Sequence, residues 1–200
     1  MATVFTILIL ILSVVVHEVA HGWAAYALGD PTAKLAGRLT LNPLSHLDPM
    51  GSFFVPIMLY IFSQGTFVFG WARPVPYNPY NLRAGPALVG LAGPAANIFL
   101  ALCFAIIIRL TIGATPIAFI ELAAVVVAIN LGLAIFNLIP VPPLDGSKIL
   151  FALIPYRYHS VEEILNRYQL FFAILAITVI APLILPIVGF LFQLTTGLSF

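Results

Sequence analysis

Charge is what this chain has least of. Of its 200 residues only 8% are charged, while 62% are apolar and the mean hydropathy is +1.12. A water-soluble domain carries roughly 25% charged residues, and this chain has too few to cover a surface facing water. Neither sign is in excess. Eight Lys and Arg against seven Asp and Glu give a formal net charge of +1, which excludes a basic field for nucleic acid. Cysteine is nearly absent as well. The single Cys103 rules out an intrachain disulfide framework, and within its apolar run it reads as a small buried hydrophobe. The first residues lack a basic start and a small-residue cleavage site, so they read as a retained span rather than a cleaved signal.

What the chain has in quantity is long apolar runs. Residues 2–28 form the first, ended by Gly29-Asp30-Pro31, a glycine cap followed by a proline that disfavours a continuing helix. About 20 helical residues cross a bilayer core, so this run suffices, as do 84–110 and 117–139. The last run, 168–194, contains Pro182 and Pro186, which predict a kink or break; it is one tilted span or a span plus an interfacial helix. Residues 52–70 are interrupted by Ser63-Gln64-Gly65 and are too short beforehand to cross alone. The β-formers Thr66 to Trp71 follow. The expected fold is an all-α polytopic membrane protein of about four to six transmembrane helices, with a re-entrant or β-hairpin-like segment near 52–80.

Polar groups inside such a chain stand out. His17-Glu18-Val19-Ala20-His21 lies within the first span. Positions four apart share a helix face, so both imidazoles can reach one ion. Glu18 lies about 100° round the helix, placed to polarise a metal-bound water as a general base. With four His and four Glu in the chain, chance produces this pattern about once in 600 such chains. A lone His on an apolar face is usually a satisfied core residue, but three ionisable groups within five positions of a span cost roughly 2.5 kcal/mol or more each when charged and mark a functional site. A catalytic zinc takes three protein ligands. Asp145, directly after the span 117–139 in a proline-rich stretch expected to be extended and unwound, is the best third ligand. Its competing role is to cap the helix that starts at Ser147.

His17-Glu18-Val19-Ala20-His21 together with Asn137-Leu138-Ile139-Pro140-Val141-Pro142-Pro143-Leu144-Asp145-Gly146 resembles the site-2 protease family of intramembrane zinc metalloproteases. Gly93-Pro94-Ala95-Ala96-Asn97 matches the family's small-residue motif ending in Asn. The stretches from Ala36 to Pro43 and from Gly70 to Pro76 look like those of its short bacterial members. Larger members carry PDZ or CBS domains, which have no counterpart in these 200 residues. The resemblance implies one transmembrane metalloprotease domain over 1–200, with one zinc held by His17, His21 and Asp145 and with Glu18 as catalytic base. It also implies that Asn137 and Asn97 position substrate or stabilise the oxyanion; interhelical hydrogen bonding is the alternative for both. The implied substrates are membrane-anchored proteins cut in or near a transmembrane segment.

His46 and Asp48 read as solvated loop residues, and Arg109 and Glu121 as snorkelling flanks of a short turn. The His pair and Asp145 must meet at one depth, which requires 52–70 not to cross. Lys34, Arg38, Arg73, Arg83, Lys148, Arg157 and Arg167 then share one side and only Arg109 lies near the other. The positive-inside rule makes that side cytoplasmic and the N-terminus external, and the resemblance to short bacterial members implies a prokaryotic inner membrane. A metal transporter would use the same ligands but needs a polar path through the spans. A scaffold that binds transmembrane helices without cutting them would have no use for Glu18.

Overall fold

The computed structural model describes residues 2–64, 70–82, 85–155 and 159–200. Its long elements are α1 (Ala2–Ala27), α4 (Pro86–Thr111), α5 (Ile117–Asn137) and a C-terminal helical run. That run comprises α8 (Gln169–Leu175), a π-helical stretch (Ala176–Ile180) and α9 (Ala181–Thr196). Four helices among the described residues are long and apolar enough to cross a membrane: Thr3–Ala27, Pro86–Thr111, Ile117–Asn137 and Gln169–Thr196. A helix satisfies its own backbone groups, which lipid cannot do. The described residues contain no β-strand.

The last apolar run is therefore continuous rather than divided. Pro182 has no N–H to donate one turn back, and the wider π-helical stretch sits just before it, absorbing the defect within the helix. The 49–62 region is helical through Pro49–Phe54 and α3 (Val55–Phe62). Its length is about 21 Å at 1.5 Å per residue, short of a bilayer core of about 30 Å. The strand expected over 66–71 lies mostly outside the described residues; Gly70 and Trp71 are not in one. Trp71 N–H donates to the Gly51 carbonyl at 3.0 Å. A Cβ on Gly51 would run into the Trp71 indole. The chain thus comes back after α3 to meet the start of that helix. Among the described residues only α4 is long enough to cross between α1 and α5, so the C-terminal ends of α1 and α5 lie on the same side.

α4 packs most extensively on α5 and then on α1, and α9 on α5. Their shared core joins Ala101, Ala105 and Ile108 to Ala123, Val127 and Phe192; alanines permit the close approach that replaces hydrophobic driving force in lipid. Phe99, Ile106, Leu183 and Phe190 are exposed, as suits a surface covered by acyl chains. Arg109 does more than snorkel. Its guanidinium donates to the Thr195 carbonyl at 2.5 Å and the Leu194 carbonyl at 2.7 Å, capping the end of α9. Glu121 remains exposed.

The short helices α2 (Thr32–Leu35), α6 (Gly146–Leu153) and α7 (His159–Arg167) and two 3₁₀ turns, Pro43–His46 and Pro79–Asn81, complete the described elements. His46 is not the solvated loop residue expected. It is 1% exposed, its Nε2–H donates to the Thr40 carbonyl at 2.9 Å, and its own carbonyl accepts Arg73 N–H at 2.8 Å. Asp48 caps the following helix by accepting from Met50 and Gly51 N–H. At the end of α1, buried Asp30 accepts from Asn78 N–H at 2.6 Å, Asn81 Nδ2 at 2.9 Å and both donors of Thr32. The stretch 73–78 is thus tied at both ends and lies across the end of α1.

Burial opposes ionisation of Asp30, but the hydrogen bonds from Thr32, Asn81 and Asn78 outweigh it and hold the carboxyl below its ordinary value of 3.8. A depressed folded pKa contributes stability that is complete above the unfolded value and is lost as pH falls through the folded one. Asp30→Ala is expected to raise amide hydrogen exchange across 75–82 at pH 7 by the equivalent of about 1–3 kcal/mol. In the wild type the same loosening should begin only below pH 3.8. Unchanged exchange in the variant would mean that the tether is not what holds this stretch.

Candidate metal centre and active-site cavity

His17 and His21 lie on successive turns in the C-terminal half of α1, where the helix turns from exposed to buried. Their rings meet edge to face, 4.6 Å between centroids. Each Nε2 is 3.0 Å from Asp145 Oδ2, and the two nitrogens are 3.1 Å apart. All three residues are 6% exposed. Asp145 occupies the N-cap position of α6, yet its side chain makes no capping hydrogen bond. It is turned toward the imidazoles instead.

The approach to Asp145 is a run of tight turns rather than the extended stretch expected from its prolines. Val141 N–H donates to Ile139, Leu144 N–H to Val141, and Ser147 N–H to Leu144. Gly146 permits this fold-back, because a Cβ there would strike the Leu138 and Ile139 carbonyls. Gly90 similarly lets α6 approach α4, with Asp145 O only 3.1 Å from where its Cβ would stand.

The outer nitrogens decide what the inner ones can do. His17 Nδ1 lies 2.6 Å from Asn97 Oδ1, and His21 Nδ1 lies 2.6 Å from the Val89 carbonyl. Carbonyl oxygens only accept, so each Nδ1 carries the hydrogen and each Nε2 is left with a lone pair. Two lone pairs and a carboxylate oxygen therefore converge with no proton between them, an arrangement that a cation relieves. The group His17, His21 and Asp145 has the donor chemistry for a metal ion. Tetrahedral zinc with bonds of about 2.0–2.1 Å sets its ligand atoms about 3.3 Å apart, a few tenths more than the spacing here. The residues fit the ion.

Glu18 is half-buried beside this triangle, and its Oε2 accepts Val75 N–H at 2.9 Å. The two histidines, Glu18, Asp145, Asn137 and Lys148 line a cavity of about 170 Å³ that Pro74, Val75 and Tyr77 wall on the other side. The structure separates the two asparagines that the resemblance paired. Asn137 reaches the cavity and donates from Nδ2 to the Leu133 carbonyl at 2.9 Å. Asn97 is fully buried behind His17 and is not part of the cavity wall.

Sequence reasoning missed Lys148 and Tyr77. Lys148 Nζ lies 2.8 Å from Asp145 Oδ1 and occupies that oxygen, leaving Oδ2 to the imidazoles. Burial works against its charge, but the Asp145 carboxylate outweighs burial and raises the ammonium pKa above its ordinary value. The three-residue spacing from Asp145 on a helix was the available signal. Tyr77, whose ring lies 5.4 Å from Lys148 Nζ, carried none.

Gly93 is the closest constraint on the imidazoles. A Cβ there would stand 2.6 Å from His17 Cε1 and nearer still to His21 Nε2. Gly93→Ala is expected to weaken binding of a divalent metal at least tenfold, read by chelator competition. Gly132→Ala, where a Cβ meets nothing within 4 Å, is the control and should leave affinity unchanged. Equal affinities in the two variants would show that the rings have room to move.

Known proteins resemble this chain in sequence. The profile of "Peptidase family M50" matches residues 112–176. "Putative zinc metalloprotease YwhC" of Bacillus subtilis is 38% identical over 161 residues, covering 76% of this chain and 69% of that protein. "Putative zinc metalloprotease Rip2" of Mycolicibacterium smegmatis is 30% identical over 68% of this chain and 52% of its own length. Its namesake in Mycobacterium tuberculosis is 33% identical over 70% and 53%. The chain thus spans about half the length of these mycobacterial relatives. No solved structure gives a significant match. With an apolar helical body, a His–His–Asp group and these relatives, the chain belongs to peptidase family M50, the site-2 protease family of zinc metalloproteases.

Proposed function

We propose that this zinc metalloprotease is an intramembrane endopeptidase, with His17, His21 and Asp145 holding one zinc and Glu18 acting as general base. Its substrates on this reading are membrane-anchored proteins cut in or beside a transmembrane segment. One observation carries the reading: three donor atoms within 3.0–3.1 Å of one another share a cavity with Glu18, on a helix apolar enough to span a membrane. Zinc, when bound, supplies a Lewis acid that brings the pKa of water toward roughly 7 and polarises a carbonyl.

Glu18 takes the proton of the attacking water and passes it to the leaving amine. Asn137 spends one amide hydrogen on Leu133 and has a second for the developing oxyanion. Lys148 adds positive charge at the cavity wall and keeps Asp145 oriented through Oδ1. The cavity of about 170 Å³ sets the form of substrate. One helical turn about 10 Å across fills roughly 400 Å³, so a transmembrane helix must unwind locally before its peptide bond reaches Glu18. The reading also places the site toward the cytoplasm, because Lys34, Arg38, Arg73 and Lys148 lie on the side where α1 and α5 end.

Purified Glu18→Gln is expected to keep about one zinc per chain while cleavage of a transmembrane substrate falls by roughly 10²–10⁴. Asp145→Ala should lose most of its zinc as well as activity. Cleavage by Glu18→Gln at the wild-type rate would remove the base, and a full zinc complement in Asp145→Ala would remove that ligand. A topology reporter fused after Gly70 should report a cytoplasmic position and one at the N-terminus an external position; both external would overturn the orientation.

A further inference from the structure

We propose that Asn130 and Ser13, acting through Asn97, are positioning residues that determine which nitrogen of His17 carries the ring hydrogen, keeping the Nε2 lone pair free for the metal site. The inference rests on the reading of His17 as a zinc ligand and adds residues that do not touch the cavity. Ser13 stands one turn before His17 on α1, Asn97 on α4 and Asn130 on α5. Their exposures are 4%, 0% and 0%, so water does not substitute for any missing partner.

The chain of hydrogen bonds has a direction. Asn130 Nδ2 donates to Ser13 Oγ at 2.9 Å and to the Val126 carbonyl at 2.9 Å. Both amide hydrogens are then used, and Asn130 Oδ1 is the atom presented to α4. It accepts from Asn97 Nδ2 at 2.7 Å, whose other hydrogen goes to the Ser13 carbonyl at 3.3 Å. That leaves Asn97 Oδ1 facing His17 Nδ1 at 2.6 Å. Reversing any amide in this sequence sets donor against donor or acceptor against acceptor in a buried site. Reversing Asn97 has the further effect of aiming its NH₂ at His17 Nδ1. The ring hydrogen would then move to Nε2, where it points at Asp145 and removes the lone pair a metal needs.

Interhelical adhesion alone requires only that bonds form between these residues and does not depend on which atom of Asn97 meets His17. Tautomer control does, and that difference makes the proposal testable. It also explains why a serine and two asparagines, each awkward in an apolar helix, meet beside a single imidazole.

The test compares wild type, Asn130→Leu, Ser13→Ala and His17→Ala. Readouts are zinc affinity by chelator competition, the visible spectrum of the cobalt-substituted protein, and thermal unfolding of the metal-free protein. Asn130→Leu is expected to bind zinc 10–100-fold more weakly with an altered cobalt spectrum, while metal-free unfolding stays near wild type. Ser13→Ala, which deletes one oxygen, should shift affinity and spectrum in the same direction by less, and carries the test if Asn130→Leu does not fold. Wild-type affinity and spectrum in a folded variant would overturn the proposal. So would an affinity loss with an unchanged cobalt spectrum that follows metal-free stability. His17→Ala with wild-type zinc affinity would instead overturn the ligand assignment itself, a separate outcome.

Discussion

Two imidazoles and a carboxylate share a space about 3 Å across inside a mostly apolar molecule, and the surrounding structure follows from that constraint. Unpaired polar groups in such surroundings are costly. Each ring therefore needs an acceptor behind it and a cation in front of it. The acceptors come from α4: a side-chain carbonyl for His17 and a backbone carbonyl for His21. The carboxylate comes from the turn beyond α5, and its second oxygen is held by Lys148. Two segments, α1 and the turn beyond α5, thus present electron pairs to one point while α4 holds the rings from behind, and none of the three can shift without leaving a buried group unsatisfied.

Close approach is what brings those segments together. Gly93 gives the two rings their space, Gly90 admits the first turn of α6, and Gly146 lets the chain fold back after Pro143. Away from the site the same packing logic appears with alanine, as Ala101, Ala105 and Ala123 join α4 to α5. On the open side, the stretch tied down by Asp30 and His46 brings Val75 N–H to Glu18. A backbone donor on one oxygen of the proposed base orients it while the cavity stays narrow.

Much of this was legible in the sequence because membranes make polarity conspicuous. Near-absence of charge and four long apolar runs pointed to the class, and the four membrane-length helices among the described residues match the low end of the expectation. The HisGlu pair with its four-residue repeat was readable because a helix places such positions on one face whatever surrounds it. Asp145 was readable by its place just after a span, although its turns were not, since prolines define local restriction and not the path. The run around Pro182 was ambiguous for a similar reason: a π-helical stretch accommodates the proline without breaking the helix. His46 was misjudged as solvated because a loop's position in sequence says nothing about what covers it.

By itself the sequence determined that this is a multi-span helical membrane protein with a metalloprotease motif, since composition and helical period act locally and survive any packing. Only the tertiary structure decided which oxygen faces which nitrogen. The contact between Asn97 and His17, the tether between Asp30 and Asn78 and the line from Ser13 through Asn130 to Asn97 all join residues from different segments. A hydrogen bond depends on angstroms and on direction, and neither is set until the helices have docked.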